Sequence, residues 1–271
     1  MPLLGLGIEL GKQGGITSSP APSPYDPDAL NWFSAVSALG GTVSDANKPA
    51  INAFFVALKT GGVWSSIAQA NLFAGASTVA SAMAPIVGST IANNGFLDAD
   101  YSSTLGLTNT NGTRYINTNR ANNADASQNS RHMYVFVTSM PTLPVTASQY
   151  LMGSGNVGSS DSRIYIPINT SNISMSLSST SLSTATNPTL GAVNGFGLAR
   201  NSATTVIPYV NGSLGSSTNN VVTPTTTKIG VFATGTGVSK ASARIGFYSI
   251  GSFADLAVID AAVKTLFTQL T

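Results

Sequence analysis

Two hydrophobic periods alternate along this chain, and the change from one to the other divides it. Between Asp26 and about Ala84 the apolar residues recur at helical spacing. Leu30, Phe33, Val36 and Leu39 form one stripe, opened by Asp26 as cap and Pro27 at the first helical position and stopped at Gly40-Gly41. Ile51, Phe54, Phe55 and Leu58 form a second, capped by Asn47, with Pro49 tolerated in its first turn and Gly61-Gly62 at its end. Trp64, Ile67, Leu72 and Phe73 continue the apolar signal, and Thr78–Ala84 predicts one more helical turn before Pro85. Two helices bury too little surface alone, so they are expected to pack on each other and on the rest of the chain, or on a neighbouring subunit.

From Ile86 the period becomes two. The predicted strands are Gly95–Asp98, Thr113–Asn117, His132–Met140, Gln149–Gly153, Arg163–Asn169, Asn172–Leu177 and Gly195–Ala199. Ile173, Met175 and Leu177 against Ser174, Ser176 and Ser178 is a half-buried alternation. Pro167 interrupts Ile164, Ile166 and Ile168, which predicts an edge strand or a bulge. Asn211-Gly212 is a dipeptide that tolerates the positive φ angles of a tight hairpin. After it, 229–233 and 245–250 carry apolar residues on both faces, as strands inside a layered stack do. Ser252 and Asp255 have capping-box spacing, and Leu256, Ile259, Val263, Leu266 and Leu270 form a closing helical stripe. Many short strands separated by Gly, Asn, Ser and Pro mean an antiparallel sandwich or barrel. The chain therefore reads as an arm at 1–25, a helical attachment segment at 26–85 and a β-sandwich at 86–271 that ends in an amphipathic helix.

The arm is extended. Its glycines and prolines forbid a stable helix, yet Leu3, Leu4, Leu6, Ile8 and Leu10 are too apolar for a free linker. A terminus of this composition frays unless something holds it. It is expected to dock on a partner chain or a neighbouring copy, with Trp32 and Phe33 of the first helix as further docking residues; the alternative is that it folds back on its own domain. The stretch lacks a basic leading region and a small-residue cleavage end, so it does not read as a signal peptide.

Composition narrows the chemistry. Of 271 residues only 8% are charged, against a usual value of about 25%. The polar surface is Ser, Thr, Asn and Gly, which suits packing against neighbours and gives little mutual repulsion. A net charge of +2 gives no case for nucleic acid. Without cysteine there are no disulfides, thiolate sites or cysteine nucleophiles. No run of about eighteen apolar residues predicts a membrane span.

Several segments together carry a resemblance. Tyr25–Phe33 (Tyr-Asp-Pro-Asp-Ala-Leu-Asn-Trp-Phe), Ile51–Val56, Gly62–Trp64, Phe73–Ala76, Thr113–Asp125 and Ala243–Gly251 follow one another in an order that resembles a family of tailed-phage virion proteins, found especially in phages of cyanobacteria. The resemblance runs from about Tyr25 to Leu270; the arm lies outside it. It implies a mainly β fold, a concanavalin A-like (laminin G-like) jelly-roll sandwich behind a short helical segment. It also implies a non-enzymatic structural component of the virion, in a tail fibre, baseplate or capsid appendage. Its expected partners are other virion proteins and copies of itself, with a host surface glycan as a further partner, and no cofactor is expected.

The jelly roll of this type also serves glucanases, which need two carboxylates flanking the glycosidic bond. The one Glu, Glu9, lies in the arm, and no aspartates pair two or four apart on a predicted strand. His132 is the one histidine, with no Ser–Asp partners legible in sequence, and cannot build a zinc site alone. No catalytic or metal residue is expected. Asp98, Asp100, Asn93 and Asn94, or Asn122, Asn123 and Asp125, have the oxygen ligands a Ca²⁺ site wants, but Asn/Asp-rich loops are more often turn formers. A sugar site needs an aromatic platform beside Asn, Asp or Arg. Asn156, Asp161, Arg163 and Tyr165 supply that set, and Arg114, Tyr115, Asn117 and Asn119 supply a second. The lectin-like alternative, recognition of a host carbohydrate, rests on these residues.

Overall fold

The computed structural model describes residues 24–125, 127–155, 161–179, 182–185, 193–215, 217–218 and 222–271. Leu3, Leu4, Leu6, Ile8, Leu10 and Asn156 lie outside the described residues.

Both expected helices form. In α1 (Pro27–Ala38) the Asp26 carboxylate accepts the Asp28 N–H at 2.9 Å, satisfying a donor the helix leaves open. Asn47 precedes α2 (Lys48–Thr60) but makes no side-chain cap; its carboxamide instead holds Thr271, donating to its carbonyl at 3.3 Å and accepting its N–H at 3.0 Å. That contact ties the start of α2 to the last residue of the chain.

The segment read as helical up to Ala84 is corrected at its centre. Ile67–Leu72 is a strand, β1, paired antiparallel inside a sheet. It is buried along nearly all its length, and the buried polar side chains of Gln69 and Asn71 interrupt its apolar positions, so six residues show no period that separates a strand from a helix. The turn expected at Thr78–Ala84 forms as α3 (Val79–Ala82), with Thr78 and Ser81 in a reciprocal capping box.

The remaining strands are β2 (Pro85–Val87), β3 (Ala92–Asn94), β4 (Tyr101–Ser102), β5 (Gly106–Thr108), β6 (Tyr115–Ala121), β7 (Arg131–Ser139), β8 (Gln149–Gly153), β9 (Ser162–Ile166), β10 (Ile173–Leu177), β11 (Ser183–Ala185), β12 (Asn194–Arg200), β13 (Thr205–Val210), β14 (Ser213–Leu214), β15 (Ser217–Thr218), β16 (Lys228–Val231) and β17 (Arg244–Gly251). Helix α4 (Leu256–Gln269) closes the chain, capped by Asp255 alone, whose side chain accepts the Ala257 N–H. Gly95–Asp98 is not a strand: β3 ends at Asn94 and Gly95 turns the chain at φ 100°. Pro167 neither marks an edge nor a bulge. Strand β9 ends before it and sits between β8 and β10.

The strands form two antiparallel sheets. One has ten strands, ordered β14-β13-β12-β7-β17-β1-β2 with β15, β4 and β5 attached; the other has seven, ordered β11-β10-β9-β8-β16-β6-β3. The chain passes repeatedly between them, giving a jelly-roll β-sandwich with helices at both ends of the sequence. The inner faces enclose one core, with Val135, Leu151, Ile164, Met175, Phe196 and Ile245 among its members. The outer face of the ten-stranded sheet encloses a second under α1, α2 and α4, including Trp32, Phe54, Phe55, Tyr134, Phe247 and Leu266. The architecture therefore has three layers: helices, sheet, sheet. Strand β17 serves both cores. Ile245 and Tyr248 face the inner one and Phe247 the helices, a change of parity that the register shift between Ile245 and Phe247 produces. No helix among the described residues is long and apolar enough to cross a membrane.

Candidate binding face

The second core absorbs Trp32, one of the expected docking residues. It is 2% exposed, and its indole N–H donates to the Ala84 carbonyl at 3.2 Å, so it holds the helical layer to its own sheet. Phe33 is partly buried against the same core and meets Tyr25 edge-on at 5.7 Å.

The outer face of the seven-stranded sheet is different, because no described helix lies on it. Ile164 and Ile166 of β9 point into the inner core, so Arg163 and Tyr165 point outward; Ile173, Met175 and Leu177 of β10 likewise leave Ser174 and Ser176 outside. On β8, Tyr150 stacks on Tyr165 with ring centroids 5.1 Å apart and planes at 21°. The Arg163 guanidinium lies 5.4 Å from the Tyr165 ring centre. Glycines make the cluster compact. A Cβ on Gly153 would stand 2.9 Å from the Tyr150 ring, and one on Gly155 2.3 Å from the Asp161 carboxylate. Three of the four expected sugar-site residues, Asp161, Arg163 and Tyr165, therefore gather on one surface.

They are not equally open. Tyr165 is half-buried, whereas Tyr150 is 2%, Arg163 6% and Asp161 8% exposed. Asp161 accepts from the Ser154 and Thr225 hydroxyls at 3.3 and 2.9 Å. Burial pushes the Tyr150 phenol above its usual value, and the nearby Arg163 charge pulls against that shift. Two of the three guanidinium nitrogens of Arg163, Nε and Nη1, are buried with no hydrogen-bond partner, and Arg163 forms none of the ion pairs seen among the described residues.

The second expected set is on the same sheet but is engaged in building it. Arg114 donates to the Gly95 carbonyl and pairs with Asp100. The Asn117 carboxamide donates to Gly235 and accepts from the Asn119 N–H, and Asn119 bonds Thr90 and Lys228. Lys240 lies 5.7 Å from the centre of the Tyr115 ring.

Each aspartate has a structural partner. Asp26 and Asp255 cap helices, and Asp26 and Asp28 share Lys59. Asp45 pairs with Lys48, Asp98 accepts the Val79 N–H at the start of α3, and Asp125 joins Arg120 and Arg131. Asn93 and Asn94 bond neighbouring backbone groups, so that loop uses its oxygens as turn formers. No group of three or more His, Asp or Glu among the described residues is placed to hold a metal ion. His132 is fully buried. Its Nδ1 lies 2.5 Å from the Ser252 carbonyl, which only an N–H can satisfy, so Nε2 accepts from Ser249 Oγ at 3.1 Å. Burial pulls its pKa down to about 4, and the ring is neutral.

One cluster had no signal in the sequence. Asp260 of α4, 3% exposed, receives the hydroxyls of Tyr134 and Tyr209, each at 2.6 Å, and pairs with Lys264 at 2.7 Å. Burial and the Asp260 charge push both phenols far above their usual value. A Cβ on Gly195 would fall 2.0 Å from Asp260, so that glycine admits the carboxylate to the sheet. The i,i+4 spacing of Asp260 and Lys264 was visible, but nothing placed two tyrosines beyond them. A cleft of ≈ 590 Å³ opens elsewhere, lined by Thr108, Ser139, Thr142, Thr146, Gln149 and Arg244. None of Tyr150, Asp161, Arg163 and Tyr165 lines it, it has no aromatic wall, and its Gln149 and Arg244 already bond Ser242 and Thr108.

No protein-family model matches the chain, and no curated protein matches it. The resemblance to tailed-phage virion proteins thus gains nothing from a family model. Among solved structures the fold is similar to sialidases and carbohydrate-binding β-sandwich domains. Trypanosoma rangeli sialidase in complex with sialic acid superposes with a TM-score of 0.50 at 11% identity, covering 75% of this chain and 33% of that one. A carbohydrate-binding module of the Ruminococcus gnavus IT-sialidase, bound to alpha2,3 sialyllactose, gives 0.38 at 15% identity, covering 49% and 82%. Domain 4 of an extracellular arabinanase from Geobacillus stearothermophilus, in complex with arabinotriose, gives 0.40 at 17%, covering 65% and 82%. At these identities the likeness is one of fold.

Proposed function

We propose that this chain is a non-catalytic carbohydrate-recognition module that binds glycan on the outer face of its seven-stranded sheet. The observation that carries the reading is the stacked Tyr150–Tyr165 pair with Arg163 over it, on a sheet face that no described helix covers. An aromatic face flanked by a few polar groups is the arrangement that sugar rings, apolar on one side and hydroxylated at the rim, call for. The non-catalytic part rests on the aspartates, each of which is engaged in a cap, an ion pair or a hydroxyl bond. The test is binding of the purified chain to a broad glycan array, repeated with Tyr165→Ala. Binding that the substitution weakens supports the reading; no binding across neutral and acidic glycans removes it. Turnover of any bound glycan would overturn the non-catalytic part.

A second reading, display of the sandwich as a structural part of a virion, draws on a different observation. Helices α2 and α4 leave an apolar groove of ≈ 330 Å³ between them, lined by Ala50, Ala53, Ala57, Val258 and Ala261. With a surface this poor in charge, such a groove suits contact between subunits. Sedimentation of the full chain tests it. An oligomer that Ala57→Asp dissociates supports assembly through this groove, and a monomer at high concentration argues against it.

A further inference from the structure

We infer that the glycan taken by the Tyr165 face is anionic, a sugar bearing a carboxylate or a sulfate ester, and that Arg163 selects it. The inference rests on the carbohydrate reading and names the class of ligand. A buried cation is costly unless an anion and hydrogen-bond acceptors surround it. Among the described residues the buried charges of Arg131 and Asp260 meet this condition, and Arg200, fully buried, donates to the carbonyls of Leu177, Ser202 and Ala203. Arg131, 2% exposed, pairs with Asp125 and donates to Asn122 and Ser178. Asp260, 3% exposed, has Tyr134, Tyr209 and Lys264. Arg163 does not: it is 6% exposed, Nε and Nη1 have no acceptor, and it makes no ion pair. Asp161, two residues away on the chain, is held by Ser154 and Thr225 instead. Two further cations, Lys228 and Lys240, lie on this face, together with the carboxylate of Asp161.

Just beneath this face thus lie a positive charge and two buried, unused donors beside an aromatic ring. A neutral sugar uses the ring and leaves the guanidinium as it was. An anionic sugar places its charged group on the guanidinium and its ring on Tyr165, forming the strong, charge-assisted bonds that the protein itself does not supply. Nε and Nη1 are buried in the ligand-free chain, so reaching them requires the side chains around Arg163 to move, a change common at binding surfaces.

The experiment compares matched probes on the full chain: 3′-sialyllactose against lactose, an oligogalacturonide against its methyl ester, and a sulfated against an unsulfated dextran. The expected result is preference for at least one charged member by about tenfold or more. That preference should shrink as salt rises and vanish in Arg163→Met. The carboxylate and sulfate arms separate the two sources of charge. The ligand-free Arg163→Met protein is expected to melt at or above the wild type, since a buried unpaired charge has been removed. Equal binding of charged and neutral members, a preference that persists in Arg163→Met, or a melt several degrees lower would each overturn the inference. Failure to bind any probe would overturn the carbohydrate reading itself.

Discussion

The two sheets bury their inner faces alike and treat their outer faces in opposite ways. Outside the ten-stranded sheet, Phe247, Tyr134 and Phe136 lie beneath α1, α2 and α4, and the buried carboxylate of Asp260 is saturated with partners. Outside the seven-stranded sheet there is no helix among the described residues. The face carries Tyr165, Arg163, Ser174, Ser176 and Asn117, and its buried guanidinium lacks an anion. The same strand architecture thus gives a scaffold face where every charge is answered from within, and a second face where one is not. A charge left unanswered in a folded protein costs stability, which makes it a pointer to a ligand rather than to packing. Orphaned buried polar groups are uncommon enough for that distinction to have weight.

Truncating the scaffold face should have the largest effect. Phe247 is fully buried and touches Phe54 edge-on and Tyr134 at a 53° tilt, at 5.7 and 6.2 Å between ring centres. Phe247→Ala is expected to cost about 3–5 kcal/mol in denaturant unfolding, from lost transfer energy and the cavity left behind. Acid should act next, through His132. Its native pKa of about 4 lies below the ordinary value of 6.5. Below pH 6.5 the unfolded chain therefore binds a proton that the native one refuses. Stability is full above pH 6.5, falls as pH drops, and levels off near pH 4, by about 3 kcal/mol across that window. Asp125, Arg120 and Arg131 also act on the ring, with the Arg charges opposing protonation. Melting curves from pH 7.5 to 4.5 check this. A His132→Asn chain, weaker at neutral pH, is expected to lose most of the slope.

The sequence revealed these two faces unequally. Strand β10 was legible because Ile173, Met175 and Leu177 alternate with Ser174 and Ser176, and α4 because its buried residues recur along one stripe. The Asn211-Gly212 hairpin was legible because turn chemistry is local, and the two residues take φ of 50° and 94°. Strand β1 was not, since Gln69 and Asn71 are buried polar residues inside a short run that the preceding helices led into. Asp161, Arg163 and Tyr165 stood out as sugar chemistry, but what distinguishes them lies outside that segment. The stacking of Tyr150 and the missing acceptors of Arg163 depend on β8 pairing beside β9. Trp32 looked like a docking residue because an apolar stripe does not say which surface it meets.

A smaller effect belongs to the Asp260 cluster. Asp260→Asn keeps an acceptor oxygen but removes the charge that Lys264 and two phenols share. About 1.5–3 kcal/mol is expected to be lost, in the range for hydrogen bonds to a charged group. The comparison sharpens if Tyr209→Phe costs less than Asp260→Asn, since Tyr134 and Lys264 still answer the carboxylate. Equal losses would mean that the cluster acts as one unit, which a double-mutant cycle would show directly.

The smallest stability change is expected at Tyr165, and it separates the faces most sharply. Its ring is half-buried and stacks on Tyr150, so Tyr165→Ala removes one aromatic pair and leaves no closed cavity. The expected cost is about 1 kcal/mol, the order of a stacked pair beyond its area. Over the same substitution glycan affinity should fall by about tenfold or more, as for an aromatic anchor at the centre of an interface. Phe247→Ala should show the reverse pattern, a large loss of stability with affinity retained in whatever fraction remains folded. If Tyr165→Ala unfolds the protein as readily as Phe247→Ala, the seven-stranded sheet is packed on both sides like its partner. Arg163 is then a strained core residue, and the asymmetry between the faces is lost.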